Sequence, residues 1–395
     1  MGRSFTILAI TLAMLCIAVT YAFGLYLFAS IEPSIRDQIG FDQATTGMLT
    51  AGSMAGFLLF SFLSGWLRNL LGANLMTTAT LAVCALCLAW QAFAQDVWTL
   101  AVQRFLLGAC TATIWAPMVE IIPRFVATRY QGRALGLISS GTNYGLVLNG
   151  LLTFIVLKFG DWRDLFLVTA ALSLLVGITW LPTVARTSIR GSRHLIPRQE
   201  DAVPPIGHIP EAVRPVMIIA AIGGWVGMPA TSFLAAFSTD DLDLPASYAA
   251  LSWMLMGAIG MVSGATLGAL SDWLGYRSAF SLALFLLVLA SGAFVVGIPA
   301  FVTPVIIASP LAIGFFPIYG LIPSFIAKST TPENTTGIFG YVNVALGIAG
   351  MLGNAAAGFA RTATGGHATF FAVAAILALA GILIAARLTE PMSEV

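Results

Sequence analysis

The sequence has very little charge for its length. Lys, Arg, Asp and Glu make up 9% of its 395 residues, whereas soluble domains carry about a quarter. Hydrophobic residues make up 58%, and the mean hydropathy is +0.93. Such a chain cannot cover its surface with polar groups, so an ordinary water-soluble globule is excluded. We expect an all-α membrane protein.

Histidine and cysteine are scarce too. The histidines are His194, His208 and His367, and no nucleophile stands beside a base, which argues against an enzyme. The four cysteines lie in apolar runs, with no disulfide framework and no metal-site spacing. No basic domain is present for nucleic-acid binding. We therefore expect no metal, no cofactor and no nucleic-acid partner.

Apolar runs of about 20 residues, enough to cross a bilayer as a helix, recur along the chain. They predict twelve spans near residues 5–31, 43–67, 73–94, 97–123, 132–157, 164–185, 213–237, 247–271, 277–297, 300–327, 336–360 and 368–388. The first run is expected to end in an acidic turn at Glu32. Between the sixth and seventh spans, residues 186–212 are rich in Arg and Pro and predict a linker between domains 1–185 and 213–395.

Lys and Arg are distributed unevenly between the two sets of predicted loops. Thirteen lie on one side and four on the other, if the N-terminus belongs to the richer side. Because Lys and Arg resist translocation, the richer side is expected to be cytoplasmic. The sequence therefore predicts a protein of the bacterial cytoplasmic membrane with both termini and the linker inside.

Two stretches of the sequence occur twice. PMVEIIPRFVA at 117–127 returns as PIYGLIPSFIA at 317–327, and GWLRNLLG at 65–72 returns as GALSDWLG at 268–275. The first pair closes spans four and ten, and the second lies between spans two and three and between spans eight and nine. This pattern predicts a parallel duplication of a six-helix half about an axis along the membrane normal.

These stretches resemble the major facilitator superfamily. Its loop pattern, Gly-x-Leu-x-Asp-x-x-Gly with a basic residue following, is present as Gly268, Leu270, Asp272, Gly275 and Arg277. In the first half Asn69 stands in place of the acid. RFLLGA from Arg104 and GDWRDLF at 160–166 are also similar to superfamily motifs. The resemblance implies two six-helix bundles related by pseudo-two-fold symmetry, with spans one, four, seven and ten around a central cavity.

Two charges, Arg104 and Glu120, lie inside the apolar runs. A charge in hydrocarbon costs at least about 2.5 to 3.5 kcal/mol, so each is a candidate functional residue. They lie about 24 Å apart along span four and point about 160° apart, which excludes a pair. Arg104 shares a helical face with Thr111 and Trp115, and this stripe would suit a carboxylate with apolar bulk. The alternatives for Arg104 are hydrogen bonds to span one carbonyls, or proton movement.

Aromatic and amide side chains on the cavity spans and on spans five and eleven are further candidates for substrate contact. They are Tyr21, Tyr26, Asn143 and Tyr144 in the first half, and Trp225, Phe316, Tyr319 and Asn343 in the second. For any one aromatic residue, packing or anchoring at the membrane interface is an alternative role. A buried amide needs a partner in a bilayer, which can equally be a neighbouring helix.

Glu120 and the basic residues after it resemble the cytoplasmic end of span four in the superfamily. The resemblance implies that the acid binds loop arginines and helps to hold the inward gate closed, with proton carriage as the alternative. The expected gating residues are Glu120, Arg124, Arg133, Asn69, Asp272 and Arg277. On this interpretation the second half carries its acid at Asp272, so Gly320 needs no charge at the position that corresponds to Glu120.

The function that these features favour is secondary active transport of a small or medium-sized organic anion by alternating access, with proton symport as one form of coupling. The sequence contains no ATP-binding loop. One alternative is a proton-coupled exporter of hydrophobic compounds, although no acid is visible at cavity depth. Another is a non-transporting receptor or assembly factor on the same scaffold. The expected partners are the substrate, protons and lipid, and the chain is expected to be a monomer.

Overall fold

The computed structural model describes residues 3–122, 126, 128–190, 209–297 and 302–391, and every regular element in these ranges is helical. The first half contains α1 (Arg3–Ala18), the π-helix π1 (Val19–Tyr26), α2 (Leu27–Ile39), α3 (Gln43–Gln91), α4 (Val97–Thr113), α5 (Trp115–Ile121), α6 (Thr128–Ser139), α7 (Gly141–Phe159) and α8 (Trp162–Arg190). The second half contains α9 (Arg214–Ser232), α10 (Leu234–Ala236), the π-helix π2 (Phe237–Asp241), α11 (Ala246–Val296), α12 (Thr303–Gly314), α13 (Ile318–Ser329), α14 (Pro332–Thr364) and α15 (Ala368–Ala386).

The apolar runs form helices because a bilayer offers no water to backbone groups, which must be satisfied within the segment. Across the described ranges, ten helical stretches are long and apolar enough to cross a membrane. Two of them, α3 and α11, have 49 and 51 residues, more than twice the length of a span. Each is broken once, which is consistent with the twelve predicted spans. The protein is an integral membrane protein.

The breaks in α3 and α11 lie at the last glycine of the repeated loop motif. Gly72 has φ 75° and ψ 155°, and Gly275 has φ 83° and ψ 166°. This region of φ/ψ space is almost closed to residues with a Cβ atom. The same turn therefore joins spans two and three and spans eight and nine, and the motif keeps a glycine where the chain needs one.

Proline breaks spans four and ten at matching places. Pro117 lies just after the interruption between α4 and α5, and Pro317 lies just before α13. Proline cannot donate the helical hydrogen bond, which interrupts a helix. Span four is interrupted about one turn before Pro117, and span ten is interrupted at Pro317. Residues 123–125 and 127, which include part of the first copy of this motif, lie outside the described residues.

The chain divides into two compact units. The first unit contains Met1–Phe41 and Gly52–Leu195, and the second contains Asp42–Ala51 and Ile196–Val395. The first turns of α3 thus pack with the second unit, and the remainder of α3 packs with the first. Most of the predicted linker, residues 191–208, lies outside the described residues.

Within the first unit, α3 and α4 are in contact backbone to backbone. A Cβ atom on Gly56 would lie 2.0 Å from the carbonyl oxygen of Phe105, and one on Gly108 would lie 1.9 Å from that of Ser53. Glycines at a crossing let membrane helices approach this closely. This contact fixes α4, which carries Arg104, against its neighbour.

The prediction of a turn at Glu32 is wrong. Helix α2 continues to Ile39, and Gly40 in the left-handed conformation follows it. The Glu32 side chain is fully buried inside this helix, and Arg36, one turn later, lies 3.8 Å from its carboxylate. The opposite charge at i+4 lets the helix continue past an acid that, taken alone, would favour a turn.

A residue beyond the last helix caps the second part of α11. The Glu390 carboxylate accepts hydrogen bonds from the backbone N–H groups of Tyr276, at 2.9 Å, and Arg277, at 2.8 Å. The Arg277 guanidinium donates to the carbonyl of Leu388. A carboxylate is favoured at a helix N-terminus, where the N–H groups are free and the dipole is positive. The segment after α15 is therefore tied to the start of span nine.

Replacing Gly275 with alanine should lower stability more than the same change at Gly72. Both changes force a Cβ atom into a strained conformation that costs about 1 to 3 kcal/mol. At Gly275 the Cβ would also lie 2.6 Å from Glu390 Oε1, whereas nothing lies within 4 Å at Gly72. The measurement is the Tm of the purified variants, with Gly268→Ala, which has open space around its Cβ, as control. Equal losses at Gly72 and Gly275 would contradict a contribution from the Glu390 cap.

Candidate functional site

Arg104 is held by the main chain of span one. Its side chain is 2% exposed. Nη1 donates to the carbonyl of Gly24 at 3.0 Å, and Nη2 donates to the carbonyl of Leu25 at 2.9 Å. The guanidinium carbon lies 4.8 Å from the centre of the Phe28 ring, in cation–π contact. This is the geometry of the alternative in which Arg104 binds span one carbonyls.

Both acceptor carbonyls belong to the π-helical stretch π1. A π-helical turn displaces carbonyls from the regular α-helical pattern, and such turns are frequent at functional sites. In a bilayer these carbonyls need donors from the protein itself. Arg104 supplies two from a neighbouring span, so α4 and π1 position one another.

Among the described residues, no acid balances the charge of Arg104. The hydrogen bonds of its guanidinium go to the neutral carbonyls of Gly24 and Leu25, and no carboxylate of the described residues forms an ion pair with it. Carbonyl dipoles stabilise a cation without cancelling its net charge. The interior of the first unit therefore contains a fixed positive charge.

The predicted stripe on span four is only partly available for contact. Thr111 is buried, and its hydroxyl donates to the carbonyl of Gly108 at 2.6 Å within α4. Trp115 is half-buried and is hydrogen-bonded to the hydroxyl of Tyr21 on π1. Tyr26, at the end of π1, is buried. The structure thus brings Tyr21 and Trp115 together, while the Thr111 hydroxyl is occupied by its own helix.

Asn143 and Tyr144 lie in the first turn of α7. Asn143 is half-buried, and Tyr144 is 48% exposed. One residue further on, a Cβ atom on Gly145 would lie 2.6 Å from the Cβ of Ala22. This close approach sets the first turn of α7 beside π1, the stretch that also holds Arg104.

In the second unit, the candidate residues for substrate contact include several aromatic side chains that pack against other rings. Trp225 on α9 stacks on Phe370 at 5.9 Å between ring centres, and its indole N–H has no acceptor among the described residues. Phe316 and Tyr319, which flank the Pro317 break, both contact the Phe315 ring. Asn343 is half-buried on α14. The contribution of these four side chains to substrate binding stays a prediction.

Sequence reasoning missed a group of buried polar side chains in the first unit. Asn149 on α7 is fully buried, and its Oδ1 lies 3.4 Å from the hydroxyls of Ser30 on α2 and Thr153 on α7. Gln103, beside Arg104, is also fully buried. The signal was available, since Asn149 lies four residues after Gly145 and so shares its helical face.

Glu120 forms an ion pair with a loop arginine that the sequence did not single out. Its carboxylate lies 2.8 Å from Nη1 of Arg68, which follows span two. The other terminal nitrogen of Arg68 donates to Oδ1 of Asn69 at 2.9 Å. Of the expected gating arginines, Arg124 lies outside the described residues, and Arg133 is exposed with its guanidinium 6.0 Å from the Tyr130 ring.

The second unit has a corresponding ion pair with its charges exchanged. Asp272, in the loop motif after span eight, lies 3.0 Å from Nζ of Lys328 near the end of α13. In the first unit the loop carries the base and span four the acid, whereas here the loop carries the acid and span ten the base. Arg277 takes part in the Glu390 cap described above. Each unit therefore ties its span-two or span-eight loop to the end of its span four or ten.

The structure gives no metal or thiol site in the part of the chain that it describes. No group of three or more His, Cys, Asp or Glu side chains there could hold a metal ion. The four cysteines are buried and free.

Comparison with known families gives a match over most of the chain. The model described as Major Facilitator Superfamily matches residues 14–354. Among solved structures, a bacterial homologue of the human lysosomal transporter Spinster, in an inward-facing and occupied conformation, has a TM-score of 0.76, 14% identity and full coverage of both chains. A likeness at this identity concerns the fold alone.

Curated relatives are distant in sequence. A hexuronate transporter of Bacillus subtilis is 20% identical over 91% of this chain and 89% of its own length. A 4-hydroxybenzoate transporter of Pseudomonas aeruginosa is 24% identical over 68% of this chain and 64% of its own length. A gallate transporter of Pseudomonas putida is 24% identical over 42% of this chain, and the match spans 37% of that protein.

Exchanging the charges of the Arg68–Glu120 pair should be tolerated, whereas reversing one charge should not. Arg68→Glu places two carboxylates together and should cost about 1 kcal/mol, the scale of a partly exposed pair. The double variant Arg68→Glu/Glu120→Arg has the charge order of the second unit and should recover most of the loss. The measurement is Tm in a double-mutant cycle.

Arg133→Glu provides the matched control for this cycle, because it reverses an exposed arginine of the same unit. Combined with Glu120→Arg it should show no recovery. Recovery with Arg133 rather than with Arg68 would contradict the assignment of Arg68 as the partner of Glu120.

Proposed function

The chain belongs to the Major Facilitator Superfamily, and on that basis we propose that it moves a small or medium-sized organic anion across a bacterial cytoplasmic membrane by alternating access. It is a transporter rather than an enzyme. The proposal includes a cytoplasmic location for both termini, which the distribution of Lys and Arg supports.

The buried charge of Arg104 is the observation that carries the proposal. A cation that is bonded only to carbonyls leaves a positive potential in a medium of low dielectric constant. Such a potential attracts an anion and repels a cation, and it does so even where the guanidinium does not touch the ligand. A carboxylate would supply the negative charge that the described part of the first unit does not place beside Arg104.

The relatives support the same class of substrate. The hexuronate, 4-hydroxybenzoate and gallate that name three of them are all carboxylates. In this chain Tyr21 and Trp115, which are hydrogen-bonded to one another, supply aromatic surface beside the span that carries Arg104. We propose that these two rings and Arg104 bind the apolar and the charged parts of the substrate.

We propose that an ion or solute gradient drives transport. The sequence has no Gly-x-x-x-x-Gly-Lys loop for ATP. Proton symport is the form of coupling proposed here, because Glu32 provides a carboxyl group that is fully buried within a spanning helix. Intramembrane acids are the usual proton carriers of transporters.

Glu32 also favours a second candidate function, the proton-coupled export of hydrophobic compounds. An exporter was disfavoured from the sequence because no acid was visible at cavity depth. Glu32 supports this candidate, since α2 continues through it to Ile39 and its side chain is fully buried. The two functions differ in ligand charge, so binding of carboxylates or of neutral and cationic dyes distinguishes them.

The test begins with a thermal-shift screen of the purified protein against carboxylates, neutral sugars and cationic dyes. A ligand that binds the folded form raises its Tm. A carboxylate is expected to give the largest shift. A shift with cationic dyes alone would contradict the organic-anion proposal and favour the exporter.

Arg104→Gln should then weaken binding of that carboxylate by at least about 100-fold, whereas Arg104→Lys, which keeps the charge, should weaken it by about tenfold. Lys158→Gln, which removes an exposed charge from the same unit, is the matched control and should leave the Kd unchanged. Equal effects of Gln and Lys at position 104, accompanied by equal losses in Tm, would show that Arg104 serves only to hold π1.

A further inference from the structure

A cluster of charged side chains lies in the second unit, where π2 and the end of α14 meet the start of α15. His367 is 1% exposed. Its Nδ1 lies 2.8 Å from Oδ2 of Asp241, and its backbone N–H donates to the same oxygen at 3.1 Å. The other oxygen, Oδ1, lies 3.0 Å from Nη2 of Arg361. We call Asp241, Arg361 and His367 the histidine cluster.

The far side of the imidazole ring lies in an apolar environment. The Phe233 and Phe237 rings lie 5.5 and 6.0 Å from it, centre to centre. Nε2 is buried and has no hydrogen-bond partner among the described residues. An ionised Asp241 requires a donor at Nδ1, so the proton of the neutral ring lies on Nδ1 and Nε2 carries the free lone pair.

Asp241 is ionised in this arrangement. Burial by itself would raise the pKa of its carboxyl, but the hydrogen bonds and charge of His367 and the charge of Arg361 outweigh burial and hold the pKa below its usual range. With a neutral imidazole, Asp241 and Arg361 balance one another. A second proton, on Nε2, would add an unbalanced charge with no acceptor.

Among the described residues, few other charged groups lie near the histidine cluster in the chain. Asp240 precedes Asp241, Asp243 follows in the next turn, and Asp42 precedes α3. The Asp240 carboxylate accepts hydrogen bonds from the side chains of Gln43 and Thr239. The nearby ends of α9, α10 and α11 contribute no charged residue, and Tyr248 is the titratable group in the first turn of α11.

The first turns of α3, residues Asp42–Ala51, are docked on α14 beside this cluster. Gln43 Nε2 donates to Asp240 Oδ2 at 3.1 Å, and the backbone N–H of Ala44 donates to the hydroxyl of Thr362 at 3.0 Å. A Cβ atom on Gly358 would lie 3.0 Å from the Cα of Gly47, so the two helices touch. We call residues 42–51 the docked segment.

The residues that hold the docked segment are adjacent in the chain to the residues that hold His367. Asp240 and Thr362 hold the docked segment, while their neighbours Asp241 and Arg361 hold His367. We expect a rearrangement that hydrates Nε2 to move π2, whose Phe237 ring lies 6.0 Å from the imidazole, or the end of α14. Either movement displaces a residue that binds the docked segment.

We propose that His367 is a proton-binding site that controls this docking: protonation at Nε2 releases residues 42–51 from α14. The neutral ring fits the buried cluster, and the doubly protonated ring requires water at Nε2. Proton binding and release of the segment are therefore linked, and acid favours the released form. The idea that this release is a step of alternating access rests on the proposed function. The proton linkage itself does not rest on it.

The test measures the accessibility of the docked segment. Ala44→Cys introduces a thiol at a position that is 9% exposed, in a chain whose own four cysteines are buried. Its labelling by a maleimide in detergent solution, without substrate, is followed from pH 8 to pH 5.5. Asp37→Cys, at a side chain that is 73% exposed, corrects for the intrinsic pH dependence of thiol reactivity.

The expected result is a corrected labelling rate that rises as the pH falls from 8 to 5.5, by at most about tenfold per pH unit. His367→Asn, whose amide still donates to Asp241 but cannot take a second proton, should abolish the rise. His194→Asn and His208→Asn should retain it. A flat profile, or a rise that survives His367→Asn, would overturn the proposal. If that variant fails to fold, a flat profile in the chain that carries only Ala44→Cys still overturns the proposal.

Discussion

The two hydrogen bonds from Arg104 to the carbonyls of Gly24 and Leu25 are the interaction on which the first unit depends. A bilayer requires that every displaced carbonyl find a donor within the protein. The same bonds hold a guanidinium in the apolar interior without neutralising it. One side chain thereby fixes the relation of spans one and four and gives the interior its positive potential. Under the proposed function, the selectivity for anions would arise from the same side chain that holds these two spans.

The duplication preserves geometry more strictly than chemistry. Gly72 and Gly275 adopt nearly the same backbone conformation. The ion pairs at the corresponding ends of the two units, by contrast, have exchanged their signs. A turn that only glycine can form leaves no substitute, whereas an ion pair works with either order of charges. Backbone constraints have therefore kept the repeat visible where side-chain interactions have diverged.

Much of the fold could be predicted from the sequence, because bilayer thickness and positive-φ turns leave direct marks in hydropathy and in glycine placement. The site was harder to predict. Arg68, the partner of Glu120, is 52 residues away in the chain. Glu32 was expected to end a helix because its charge follows the first apolar run. The helix continues because the opposite charge of Arg36 at i+4 outweighs that simple pattern. His367 looked like a loop residue, since its burial depends on contacts that only the tertiary structure makes.

The Glu390 cap has a practical consequence for work with this protein. Its carboxylate binds the first N–H groups of span nine from a position four residues after the end of α15. Affinity tags and reporter fusions are commonly joined to a carboxyl terminus. A junction placed at or before residue 390 would remove this anchor from span nine, so a fusion on that side should keep the chain through Glu390.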